Sequence, residues 1–232
     1  MVEIAGNCRR VMDAIADAAE RSGRDPRRVR LLAATKTQPA EAVRAAVEAG
    51  VSLLGENYVQ EAQAKKDLVG GNAEWHLIGH LQRNKARAAV GLFSLIQSLD
   101  SARLARILDR EAQGQDRDVG VLVEVNLGGE ASKTGVAEEG LVPLLREVSG
   151  LSRVRVRGLM VVPPLAADPE ASRPYFRRLR ELRDSVNELG LADVALEELS
   201  MGMTHDYHIA VAEGSTLVRV GTALFGPRSV PA

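Results

Sequence analysis

An eightfold alternation of short apolar runs and helix-sized segments constrains this chain more than any other feature. The runs begin with Val29–Lys36, rich in apolar and β-branched residues, and continue with Val51–Leu54, Trp75–Gly79 and Ser94–Gln97. Gly120–Val125, Val154–Met160, Leu196–Leu199 and Thr216–Val220 complete the set. Between them lie segments with helical spacing and helical punctuation. Pro39 opens Ala40–Ala49, which closes at Gly50, and Gly70-Gly71 stops the helix over Tyr58–Leu68. Further helices are expected around Asn84–Val90, from Ser98–Ser101 to Gln113, over Glu138–Val148 and Pro169–Leu189, and across Asp206–Glu213, with a closing segment through Arg228. One helix, over Val2–Arg21, precedes the first strand. Strands alternating with helices imply parallel βαβ units, and eight units in 232 residues point to a single α/β domain. That domain is a (β/α)8 TIM barrel with an extra N-terminal helix, spanning 1–232. An open doubly wound sheet is the structural alternative.

Composition narrows the classes of function. The 30 basic and 31 acidic residues nearly cancel, which leaves no electrostatic footprint for nucleic acid or an anionic membrane. No apolar run reaches the roughly 20 residues of a membrane helix. The charged stretch Met1–Arg10 lacks the apolar centre of a signal peptide. A single cysteine, Cys8, excludes an internal disulfide and reads as a small packed residue. The expectation is a cytoplasmic protein. Aromatic residues make up 3% of the chain, which leaves few interface anchors and favours a monomer.

A barrel gathers its chemistry on the loops that follow the strands. Lys36 ends the first strand there, and a partly buried amine loses its proton readily enough to form an imine with an aldehyde. The simpler alternative is that Lys36 snorkels to solvent. Gly55-Glu56-Asn57-Tyr58, Gly79-His80-Leu81-Gln82 and Asn126 follow the second, third and fifth strands. After strands seven and eight, the usual phosphate corner, come Ser200-Met201-Gly202-Met203-Thr204 and Gly221-Thr222. Glycines admit an anion to the backbone, and Ser200 and Thr222 add hydroxyls. A phosphate cradle facing a lysine specifies a phosphorylated carbonyl compound. Pyridoxal 5'-phosphate (PLP) is the obvious one, held as a Schiff base on Lys36.

Several stretches carry a family resemblance. They are Ala33-Ala34-Thr35-Lys36, Gly55-Glu56-Asn57-Tyr58, Trp75-His76-Leu77-Ile78-Gly79-His80-Leu81-Gln82 and Arg157-Gly158-Leu159-Met160. Leu199-Ser200-Met201-Gly202-Met203 and Val218-Arg219-Val220-Gly221-Thr222-Ala223-Leu224-Phe225-Gly226 join them. In this order the chain resembles the pyridoxal phosphate homeostasis proteins of the YggS/PROSC type, from about residue 2 to Arg228. The resemblance implies a barrel of the alanine-racemase type with Lys36 as the PLP-bearing lysine. It implies phosphate contacts around Ser200, Gly221 and Thr222, with Asn57, His80, Met160 and Met201 lining the cofactor. It also implies that Lys133, in the loop after strand five, accepts PLP transiently; a solvated loop lysine is the alternative. Thr204 and Arg83 stand where serine is common.

Whether such a site turns over is a separate question. An acid at the pyridine nitrogen strengthens PLP as an electron sink, and no strand-end acid is obviously placed for that. Arg219 either faces the ring nitrogen, where a permanently charged donor opposes ring protonation, or serves as a phosphate counter-ion or structural ion pair. Alanine racemases take a second base from an additional β-domain for which this chain is too short. The expected function is therefore a non-catalytic PLP carrier in cofactor homeostasis, with apo PLP-dependent enzymes as recipients and no catalytic residue or metal. The alternatives are a minor PLP-dependent amino-acid racemase and a barrel binding another phosphorylated metabolite. His76 with His80, and His205 with His208, have spacings that suit a metal on a helix, but the first pair straddles a strand exit. Arg173, Arg177, Arg178, Arg180 and Arg183 read as a solvated helix face with local pairing.

Overall fold

The computed structural model describes residues 3–129 and 134–227. Lys133 and Arg228 lie outside the described residues. Parallel strands β1 (Arg30–Ala34), β2 (Leu53–Glu56), β3 (Glu74–Leu77) and β4 (Leu95–Leu99) are followed by β5 (Val119–Glu124), β6 (Val154–Met160), β7 (Glu198–Met203) and β8 (Leu217–Val220). They pair in sequence order and β8 returns to β1, closing the barrel. The expected TIM barrel is the observed architecture; the open sheet is not.

The helices α1 (Ile4–Arg21), α2 (Ala40–Glu48), α3 (Val59–Val69), α4 (Ala86–Leu92) and α5 (Ala102–Gln113) fall where the spacing placed them. So do α6 (Glu138–Val148), α7 (Arg173–Glu188) and α8 (Tyr207–Ala212), while the closing segment holds a short helix not expected there, α9 (Thr222–Phe225). Ser101 starts α5 by accepting a hydrogen bond from the Leu104 amide, and short 3-10 turns at Pro26–Arg28, Arg83–Lys85 and Pro169–Ser172 lead into other elements. α1 packs against α8 and α9; Asn7 Nδ2 donates to the Leu224 carbonyl, and Arg24 donates to the carbonyls of Val211 and Ser215. Cys8, on α1, is wholly buried, the packed residue expected of it.

Strand alternation divides the core into two apolar compartments. The larger lies between strands and helices, where Ala33, Leu54, Leu77, Ile96, Val121, Leu159 and Val218 meet the helix faces. The smaller fills the barrel itself: Leu32, Leu53, Leu95, Leu122, Met160 and Leu217, with Ile78 against them. Each such side chain contributes roughly 1.5–3 kcal/mol by leaving water. Gly158 serves this closure sterically, since a Cβ there would fall 1.9 Å from the carbonyl oxygen of Glu198 on the neighbouring strand.

Several boundaries differ from the sequence reading, and three of them bear on the site. β2 extends through Glu56, so Gly55 and Glu56 are strand residues. β4 extends to Leu99, which delays α5 to Ala102. β7 starts later than expected and runs to Met203, so Ser200 and Met201 lie within a strand rather than after it. The cause is a register shift against β8 between Ser200 and Met203, which lets a glycine-containing, methionine-rich stretch continue the pairing.

The arginine-rich face of α7 does more than meet solvent. Arg173, Arg177 and Arg180 converge on the buried carboxylate of Glu213, at 2.9, 3.2 and 3.4 Å, and tie α7 to the end of α8. Arg178 pairs with Glu138 and Glu181, so the local pairing expected there is also present.

Candidate functional site

A cavity of about 380 Å3 opens at the carboxyl end of the strands. Lys36 enters it two residues beyond β1, and Asn57 one residue beyond β2. Arg219 reaches it from β8, and Gly221 and Thr222 border it at the start of α9. Ala34, Ile78, Val162, Leu165 and Met203 provide an apolar wall, and Gln38, Thr204 and His205 add polar atoms. The size lies at the lower end of the range of about 300–1,000 Å3 usual for small-ligand pockets.

The peptide bearing Lys36 is held on both sides. Thr35 is buried; its hydroxyl donates to Glu56 Oε1 at 2.7 Å, and its carbonyl oxygen accepts from Lys65 Nζ at 2.9 Å. Thr37 donates its amide to Glu61 Oε2 at 3.0 Å and adopts φ +63°, a left-handed conformation that costs a β-branched residue. Lys65 joins these anchors, 2.8 Å from Glu56 and 3.4 Å from Glu61. Burial raises the pKa of the Glu56 carboxyl, against the pull of Lys65 and Thr35. Lys36 thus leaves the barrel from a backbone with little freedom.

On the neighbouring strand β8, Arg219 pairs in register with Leu32 and is almost wholly buried, its Nη1 donating to Ser200 Oγ at 2.6 Å and its Nη2 to the Val161 carbonyl at 2.8 Å. Burial pulls its pKa down to about 10, with Glu124 and Asp206 opposing, so it remains a cation at neutral pH. The turn from β7 to α8 is shaped by Asp206, whose Oδ1 accepts from the Met203 amide at 2.7 Å. Thr204 Oγ1 accepts from the Ala223 amide at 3.4 Å, linking the two loops that border the phosphate corner.

Of the residues expected from the sequence, Lys36, Asn57, Arg219, Gly221 and Thr222 meet at the cavity. The others stand elsewhere. Ser200 is fully buried and directs its hydroxyl to Gln97 inside the barrel, because the lengthened β7 turns it inward. The alternation that turns Ser200 inward turns Met201 outward, into the layer beneath the helices. Met160 fills the barrel interior. His80 is exposed on the rim, its Nδ1 3.4 Å from Asp100 Oδ2, and borders two neighbouring clefts. His76 and His80 do not converge: His76 is buried within β3, 3.0 Å from Gln97 Nε2. His205 lines the cavity, while His208 stacks edge-on against Tyr207. Of the roles considered for Arg219 (ring-nitrogen partner, phosphate counter-ion, structural ion pair), the ion pair has no support among the described residues, since Arg219 bonds to a hydroxyl and a carbonyl.

The set missed by the sequence reading is the Glu56–Lys65–Glu61 cluster with the buried pair His76 and Gln97. A carboxylate ending the apolar run Leu53–Glu56, and a glutamine within Leu95–Leu99, were the available signals.

The donor set has a definite chemistry: an amine that can condense with a carbonyl, a buried cation, hydroxyls and a glycine-bordered helix start for an anion, and an apolar wall for a flat ring. These are the requirements of PLP, and the lining fits them.

Comparison with known proteins places this geometry. The alanine racemase N-terminal domain family matches residues 9–229. The pyridoxal phosphate homeostasis protein of Aquifex aeolicus is 46% identical over 223 residues, covering 94% of this chain and 96% of its own. That of Pseudomonas aeruginosa is 43% identical, covering 98% and 97%. The PipY protein of Synechococcus elongatus, solved with PLP bound, superposes with a TM-score of 0.81 at 40% identity, covering 91% of this chain and all of PipY (100%). An alanine racemase of Clostridium difficile shares the fold alone, with a TM-score of 0.73 at 14% identity over 97% of this chain and 58% of its own. With near full-length identities of this size, the chain belongs to the pyridoxal phosphate homeostasis proteins, and its barrel is the alanine racemase N-terminal domain.

Proposed function

We infer that this protein binds PLP in the mouth cavity, holds it at Lys36 and keeps it available within the cell without turning over a substrate. The observation that carries this reading is the convergence of Lys36, Arg219 and the Gly221-Thr222 turn on one cavity, in a chain of this family. The cofactor supplies an aldehyde that condenses with a primary amine and a phosphate that needs hydrogen-bond donors. The chain's residues do the rest. The tethered Thr35–Thr37 peptide orients the Lys36 amine, and the Thr222 hydroxyl with the start of α9 receives the phosphate. Arg219 keeps a positive charge at the inner wall, and Ile78 with Val162 covers a ring face.

The carrier reading is favoured over a racemase by the names of the relatives and by the lining itself. Its titratable side chains are Lys36, His205 and Arg219, with His205 exposed to bulk water. The reading includes a Schiff base at Lys36, a monomeric state, a cytoplasmic location and hand-over to apo PLP-dependent enzymes. It is tested by incubating purified protein with PLP. An absorbance band near the visible edge is expected, lost on borohydride reduction with mass added at Lys36 and absent in Lys36→Ala. Absence of any adduct would overturn the reading. Sustained amino-acid racemisation that Lys36→Ala abolishes would replace the carrier with an enzyme.

A further inference from the structure

Polar side chains inside an apolar barrel are costly unless each finds a partner. Four of them form one continuous line. Arg219 Nη1 donates to Ser200 Oγ at 2.6 Å, Ser200 Oγ donates to Gln97 Oε1 at 2.6 Å, and Gln97 Nε2 lies 3.0 Å from His76 Nδ1. The residues come from β8, β7, β4 and β3, and none is more than 5% exposed. One end of the line is the mouth cavity. The other is a polar cavity of about 360 Å3 that His76 lines with Arg30, Glu74, Asp118, Arg155 and Glu198. The line therefore runs through the barrel between two cavities.

Its direction is fixed from one end. A guanidinium only donates, so Ser200 must accept there and spend its single proton on the Gln97 carbonyl oxygen. The amide nitrogen of Gln97 then faces His76 Nδ1, which must be an acceptor. His76 is consequently neutral with its proton on Nε2, the atom 3.8 Å from Glu74 Oε2. Burial and the nearby charge of Arg30 push its pKa down to about 3, in the same sense. Protonating Nδ1 would set two donors against each other and reverse the amide, leaving the Ser200 hydroxyl between two donors with nowhere to give its proton.

We propose that the His76–Gln97–Ser200 line is the positioning device for Arg219, fixing the guanidinium at the inner wall of the mouth cavity and through it the seat of the bound cofactor. The proposal rests on the PLP reading above. Glu124 and Asp206 are the carboxylates whose charges act on Arg219, and its bonds to Ser200 and Val161 hold it where it pairs with neither. Cutting the line frees the guanidinium to relax toward one of them. His76, Gln97 and Ser200 are then positioning residues, remote from the cofactor yet able to change its binding.

Two measurements test this. In the protein without cofactor, nitrogen NMR of His76 at pH 7 is expected to show an unprotonated Nδ1 and a protonated Nε2; the opposite tautomer or an imidazolium overturns the line. In PLP titrations, Gln97→Leu and His76→Leu are expected to bind about tenfold more weakly, the loss of one buried hydrogen bond, and to shift the absorbance maximum of the bound cofactor. His76→Asn, which can keep an acceptor near the Nδ1 position, is expected to retain the wild-type spectrum and affinity. Ser200→Ala provides a smaller cut should a leucine variant fail to fold, and is expected to show the same spectral shift. Unchanged affinity and spectrum in folded Gln97→Leu or Ser200→Ala overturns the proposal while the PLP reading stands. A wild-type protein that takes up no PLP overturns both, and the histidine tautomer still reports on the line itself.

Discussion

Lys65 donates a hydrogen bond of 2.9 Å to the carbonyl oxygen of Thr35, the residue immediately before Lys36. The same ammonium sits 2.8 Å from Glu56, a fully buried carboxylate whose Oε2 has no hydrogen-bond partner among the described residues. Removing the cation strands that carboxylate. Lys65→Met is therefore expected to cost about 3–5 kcal/mol in urea unfolding, the usual penalty for breaking one side of a buried pair. The double variant Lys65→Met/Glu56→Gln should recover part of that loss, because the fully buried member of the cluster is then neutral and the remaining carboxylate, Glu61, is partly exposed. The single variant should also trap less PLP at Lys36 under borohydride at a fixed cofactor concentration. A single variant as stable as wild type would show that Glu56 is protonated in the native protein.

The buried His76 makes stability depend on pH over a range that begins above the ordinary carboxylate range. Its pKa falls from 6.5 unfolded to about 3 folded. Between those values the unfolded chain binds a proton that the native one refuses, so stability falls as pH drops below 6.5 and levels off near 3. The whole span amounts to roughly 5 kcal/mol, at 1.36 kcal/mol per pH unit. Urea unfolding free energies at pH 7, 6 and 5 should decline in the wild type and stay flatter in His76→Asn. Equal slopes in the two proteins would mean that His76 titrates normally in the fold.

Cys8 offers an inexpensive check on the packing of α1. It is wholly buried, and burial raises the pKa of its thiol. A thiol-reactive aromatic disulfide in excess should leave it unmodified in the native protein and react stoichiometrically in denaturant. Rapid reaction without denaturant would mean that α1 opens from α8 and α9 locally, at far less than the global free energy.

The barrel was legible because it is written in short-range alternation, which a strand or helix imposes on every residue it contains. Lys36, Asn57, Gly221 and Thr222 were legible for the same reason, since strand ends locate the mouth. Ser200 was not. Its placement depends on how far β7 continues, which is set by pairing with β8 across a register shift and not by the local run of residues. The partners Glu56 with Lys65 and His76 with Gln97 were invisible for a related reason. They are separated by 9 and 21 positions, and only the closed barrel and the α3 packing bring them together. Spacing arguments reach one element at a time; buried polar pairs span several.

Gly79 separates the site from the fold. It follows β3 in the motif Gly79-His80-Leu81-Gln82, and a Cβ there would lie 2.5 Å from the carbonyl oxygen and 2.8 Å from the Cα of Asn57. Those are backbone atoms, so no rotamer change relieves the clash; the turn after β2 must move. Asn57 lines the mouth cavity, and the Gly79 carbonyl is itself held by Ser98 Oγ at 2.7 Å, so the strain falls on Asn57. Gly79→Ala is expected to cost about 1–3 kcal/mol, the usual price of overpacking, and to weaken PLP binding by about tenfold or more. Gly158→Ala places its Cβ against the β7 backbone, far tighter, and is expected to prevent barrel closure. Circular dichroism, a thermal midpoint and a PLP titration on the two variants read out the difference. If Gly79→Ala folds and binds PLP as the wild type does, Asn57 makes no contact that the cofactor needs.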